Sequence, residues 1–66
     1  MWIVVFITQS RETADTVTEL LREAGLIVKI RNLGTKSSNN VYGCYEILLP
    51  ESEVEEGHRI LISNMF

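Results

Sequence analysis

Few side chains in this sequence have chemical potential, and their spacing decides most of what they can do. Cys44 and His58 are the sole cysteine and the sole histidine, and a thiolate beside an imidazole is a nucleophile with its activating base. No third residue that would orient the imidazole and no oxyanion-binding loop accompanies them. They read as a buried structural thiol and a histidine on a helix face. Two soft ligands also fall short of the four that a structural zinc site wants. Gly34-Thr35-Lys36-Ser37 has the closing residues of a phosphate loop, but that loop is GxxxxGK[ST] between a strand and a helix. Here the upstream glycine is missing and the segment joins two strands. Glu51, Glu53, Glu55 and Glu56 form an acidic cluster whose simplest role is favourable charge at a helix N-terminus, since nothing makes the carboxylates converge on a cation.

A fourth constellation is aromatic. Trp2, Phe6, Tyr42 and Tyr45, with Lys29 and Arg31, would suit a sheet that stacks bases. The aromatic-glycine signatures of such sheets are absent, and the formal charge is −3, which argues against nucleic acid and against anionic membranes. The reading is therefore a chain with no catalytic residue, no cofactor and no metal, and no nucleic-acid or membrane partner. The lone cysteine fits a reducing compartment. The apolar amino terminus lacks a basic n-region and ends early at Thr8-Gln9-Ser10-Arg11, unlike a signal peptide. A cytoplasmic location is expected.

The elements that must position these residues are legible from periodicity. Trp2 to Thr8 is rich in β-branched and aromatic residues and reads as a strand. Ser10 is the expected N-cap of a helix on which Ala14, Val17, Leu20, Leu21 and Ala24 recur at helical spacing. Gly25 closes it. Leu26 to Arg31 alternates as a half-buried strand, with Leu26, Val28 and Ile30 on one face. Asn32 to Asn40 reads as a polar hairpin loop. Its Gly34, Thr35, Lys36, Ser37, Asn39 and Asn40 are the candidate contacts to a ligand or partner, because such loops carry function. Val41 to Leu49 resumes strand character, with Gly43 as the expected bulge, and Pro50 ends it. Ser52 with Glu55 predicts a capping box for a helix from about Glu53 to Ser63, with Val54, His58, Leu61 and Ile62 buried. Gly57 weakens that helix but permits close packing on the sheet.

The order β-α-β-β-α over residues 1–66 makes one α+β domain. A strand–helix–strand crossover leaves its strands parallel, and a hairpin then returns the third strand antiparallel to the second. The compact solution slots that third strand between the other two, with both helices on one face. This is a ferredoxin-like, split βαβ plait lacking its last strand, and it leaves the first strand at an edge.

That first strand, Met1-Trp2-Ile3-Val4-Val5-Phe6-Ile7, is uncharged and apolar at odd and even positions alike. A strand apolar on both faces expects cover on both. A domain of this size buries only about 60% of the surface its unfolded chain exposes, so little of the chain is left to provide it. Nor does the strand carry the lysine or proline that blunts an edge. Ile3, Val5 and Ile7 suit the helix-packed side, leaving Trp2, Val4 and Phe6 as the candidate surface for self-association unless Met65-Phe66 folds back over it. A homodimer is favoured over a trimer.

The opening WIVVFIT, the helix ending TELLREAGLIVKIR and the close YEILLPESEVEEGHRIL together cover most of the chain. On them the sequence resembles a small bacterial family of signal-transducing proteins of unknown function, whose fold is related to the nitrogen-regulatory PII proteins. The resemblance implies a ferredoxin-like plait, oligomer formation and a regulatory or binding role, and it carries over no site. PII proteins use a long loop between their second and third strands for partner contact and nucleotide response, whereas the equivalent Asn32–Asn40 loop is much shorter. The expectation is a non-enzymatic, homo-oligomeric regulatory or interaction module that docks a protein or senses a small molecule. The alternative is an amino-acid- or nucleotide-binding domain with its site between subunits; a nucleic-acid-binding sheet is remote.

Overall fold

The computed structural model describes residues 1–33 and 43–65. Its elements are β1 (Trp2–Thr8), α1 (Arg11–Glu23), β2 (Lys29–Leu33), β3 (Cys44–Pro50), a short 3₁₀ turn (Glu51–Glu53) and α2 (Val54–Met65). The chain is α+β, with three strands in the order β1-β3-β2. β3 runs antiparallel to both neighbours, so β1 and β2 are parallel to each other, as a strand–helix–strand crossover requires.

Local chemistry fixes α1 at both ends. The Ser10 hydroxyl accepts from the Thr13 amide at 3.1 Å, satisfying one of the donors that a helix start leaves unpaired. At the far end Gly25 takes φ 90°. Its amide donates to the Arg22 carbonyl at 2.9 Å, and the Leu26 amide donates to the Leu21 carbonyl at 3.1 Å, the paired bonds of a Schellman motif. Leu26 then packs against the core, the hydrophobic contact that accompanies such caps.

The core lies between the helices and one face of the sheet. Ala14, Val17 and Leu21 of α1, Ile47 and Leu49 of β3, and Leu61 of α2 form its buried cluster. Thr18 of α1 is buried as well, whereas Leu20 is half-buried and Ala24 exposed. Gly57 of α2 is buried too, and a Cβ there would overlap Leu49 Cδ1. The missing side chain is what lets α2 settle onto β3.

Several boundaries and faces differ from those the sequence suggests. β2 begins at Lys29, because the Leu26 amide serves the helix cap and the Ile27 amide is taken by Glu53, and it runs on to Leu33. The bulge lies in β1 and not at Gly43, which precedes β3: Val4 pairs with Leu48 and Phe6 with Ile47, leaving Val5 as the extra residue. On α2, His58 is exposed and Ile62 is 63% exposed, while Gly57 and the half-buried Ile60 face inward. The inward stripe is thus Val54, Gly57, Ile60 and Leu61. Ser52 sits inside the 3₁₀ turn, whose cap is Pro50 without a side-chain cap bond. The expected Ser52–Glu55 box is replaced by a different tie: Glu53 Oε1 accepts from the Ile27 amide at 2.8 Å, joining the start of α2 to the lead-in of β2.

Gly57→Ala is expected to destabilise the fold. The substitution gains about 1 kcal/mol of helix propensity but overpacks a fully enclosed leucine, which typically costs about 1–3 kcal/mol. A net loss of roughly 1 kcal/mol in urea denaturation is expected. The same change in a Leu49→Val background, which lacks the offending methyl, should be better tolerated.

Candidate functional site

The bulge at Val5 sorts the apolar residues of β1 between two faces. Side chains alternate along a strand, and one extra residue advances the alternation by one step. Val5 and Phe6 both pack against the core, although they are adjacent in sequence. Trp2, Val4 and Ile7 stand on the other face, 43%, 36% and 59% exposed. Phe6, expected outward, therefore faces the helices, and Ile7, expected inward, takes the outward place.

The face without helices has two unlike halves. Along β1 it is apolar. Along β2 it carries Lys29 and Arg31, which stand opposite Leu48 and Glu46 of β3. Arg31 donates from Nε at 2.9 Å and from Nη2 at 2.6 Å to the same Glu46 oxygen, Oε1. Lys29 reaches further, placing Nζ 5.1 Å from the Trp2 ring centroid. Trp2 belongs to the opposite edge strand, so the two side chains meet across β3. Leu48 lies on the face that carries no helix among the described residues, yet it is only 3% exposed: Val4 and Lys29 flank it, and the Lys29–Trp2 pair spans the strand that bears it. A cation over an indole is attracted to the ring while its methylenes cover apolar surface.

The remaining sequence candidates do not converge. Cys44 is half-buried and shares the helix-free face with Glu46 and Leu48 by strand alternation, whereas His58 lies exposed on α2 beyond the other face. The glutamates diverge: Glu53 holds the Ile27 amide and Glu56 pairs with Arg59 at 2.6 Å. Among the described residues no three metal-ligating side chains come together. The aromatics do not form one platform either, since Phe6 and Tyr45 pack toward the core and Trp2 faces away. Gly34, Thr35, Lys36, Ser37, Asn39, Asn40, Tyr42 and Phe66 lie outside the described residues, as does the side chain of Met65.

A second surface was not anticipated from the sequence. Between α1 and β2 runs a trough lined by Asp15, Thr18, Glu19, Arg22, Glu23 and Ile30. It continues past Arg11, Asn32 and Tyr45. Only the sheet order, which leaves β2 at an edge, reveals it; in the sequence these residues look like an ordinary solvated helix face.

No helix among the described residues is long and apolar enough to cross a membrane. No family model, curated protein or solved structure matches the chain.

The Lys29 roof predicts a graded response. Lys29→Ala should lose about 1 kcal/mol of stability and shift the emission of Trp2, the single tryptophan, because both stem and charge are removed. Lys29→Met should lose roughly half as much, since the stem still covers Leu48. Equal losses in the two variants would contradict the covering role.

Proposed function

We propose that this chain is a non-enzymatic regulatory docking module that works as a homo-oligomer, with two copies joined along β1. The observation that carries this reading is the exposure of Trp2, Val4 and Ile7 on one side of a strand whose outer edge has no strand partner among the described residues. An unpaired edge presents free amides and carbonyls that template pairing with another strand.

The two edges of the sheet are not equivalent, and the difference selects β1. Pairing β2 with its own copy would set Lys29 and Arg31 against Lys29 and Arg31, and like charges directly opposite are destabilising. β1 carries no charge at all. Two copies of it brought together antiparallel would extend the sheet and join their outward apolar stripes into one. The architecture fits a ferredoxin-like plait without its final strand, and the second copy's β1 occupies the place that strand would take. Docking of a further protein or a small molecule would follow on the assembled dimer, in keeping with the regulatory family that the sequence resembles.

One strand per copy makes a small interface, below about 1,200 Å², where association is weak. Size-exclusion chromatography with light scattering across micromolar to millimolar concentrations should show mass rising from the 7.5 kDa of one chain toward twice that value. Ile7→Lys and Val4→Lys should hold the chain monomeric throughout with an unchanged circular dichroism spectrum, because both positions are solvent-facing. A wild-type chain that stays monomeric over the whole range would contradict the proposal.

A further inference from the structure

We infer that the trough between α1 and the edge strand β2 binds an extended peptide by strand addition, with a lysine or arginine of the peptide held against Glu19 and Glu23. This site is distinct from the β1 edge and does not depend on self-association there. All five residues of β2 are exposed, and its outer edge has no strand partner among the described residues. The two hollows beside it, about 460 Å³ and about 240 Å³, share Asp15 and Ile30, so they form one continuous trough along the strand. A backbone edge without a strand partner among the described residues, beside such a trough, is what an added strand requires.

The lining specifies the occupant. A strand paired with β2 would lie about 4.8 Å from it, and its alternate side chains would rise beside Ile30 beneath α1. Ile30 is 39% exposed and offers an apolar floor. At the Asn32 end Arg11 stands 3.7 Å from Asp15, so charge there is largely internal. At the other end Glu19 and Glu23 face the trough, and Arg22 is the one cation beside them among the described lining residues. Carboxylates one helical turn apart on one side of a groove favour a basic side chain. A second copy of this chain is a poor occupant: β1 has no basic residue to offer, and β2 would oppose its own Lys29 and Arg31. The fitting partner is another protein's extended segment, basic on the side that meets α1 and neutral or acidic on the side that meets Lys29 and Arg31.

The test uses the full chain and a fluorescent synthetic peptide alternating lysine with valine, followed by anisotropy and by amide chemical shifts of the isotope-labelled protein. Saturable binding is expected, with shifts centred on Lys29–Leu33 and Asp15–Glu23. Prolines at two successive central positions of the peptide should abolish binding, because one of any two adjacent amides must point at β2 and proline cannot donate to the ladder. Glu19→Lys with Glu23→Lys should weaken it at least tenfold, and the neutral Glu19→Gln with Glu23→Gln serves if the reversed chain does not fold. Ile7→Lys should bind the peptide as the unaltered chain does, which separates this site from the β1 edge. Absence of saturation at millimolar protein, indifference to proline or to the lost carboxylates, or shifts centred on β1 would each overturn the inference.

Discussion

The structure depends on β3 being a strand buried on both of its faces. Toward the helices Ile47 and Leu49 are fully enclosed, and Leu49 sits in the space left by Gly57. On the opposite face Leu48 is covered by groups from the two edge strands, which lean toward each other over it. A central strand of this kind is what holds β1 and β2 in place, since neither pairs with the other. The Met1 carbonyl accepts from the Glu51 amide at 2.9 Å, so the start of β1 is also tied to the end of β3.

With β3 anchored, the bulge at Val5 determines what the molecule shows to solvent. Were β1 regular, Ile3, Val5 and Ile7 would share the helix side and Phe6 would stand outside. The extra residue turns Phe6 inward to the core and Ile7 outward to water. Part of the apolar excess in β1 is thus absorbed within the protomer, and the remainder is concentrated into a stripe of Trp2, Val4 and Ile7. The opposite edge is protected differently. Lys29 and Arg31 guard β2 against its own copy, and α1 overhangs it with carboxylates. The proposed self-pairing uses the uncharged edge and the proposed strand addition uses the charged one.

What was legible in the sequence was what local chemistry determines. Ser10 and Gly25 announce the ends of α1 because their cap bonds involve residues within a turn of them. The α+β class and the central place of β3 follow from element order and chain connectivity. The errors arose where a partner across space decides. Nothing within Val4-Val5-Phe6 marks a bulge, which exists only relative to the register with β3, whereas Gly43 carries a compositional signal and makes no bulge. On α2 the hydropathy pattern favoured His58 and Ile62. Val54 and Leu61 do face the core, but Gly57, whose contribution is the absence of a side chain, lies against Leu49, and this turns His58 and Ile62 out to solvent. The α1–β2 trough was invisible for a similar reason, since Glu19, Glu23 and Ile30 belong to different elements.

The central proposal is that a second β1 completes the apolar stripe and the edge of β1, which has no strand partner among the described residues. Amide hydrogen exchange along Trp2–Thr8, measured residue by residue at dilute and at concentrated protein, tests it most directly. The β1 amides that are not bonded to β3 should exchange rapidly when dilute and become protected as concentration rises, while the amides of β2 stay unchanged. Rapid exchange of those β1 amides at every concentration, or new protection appearing along β2 in their place, would contradict the account.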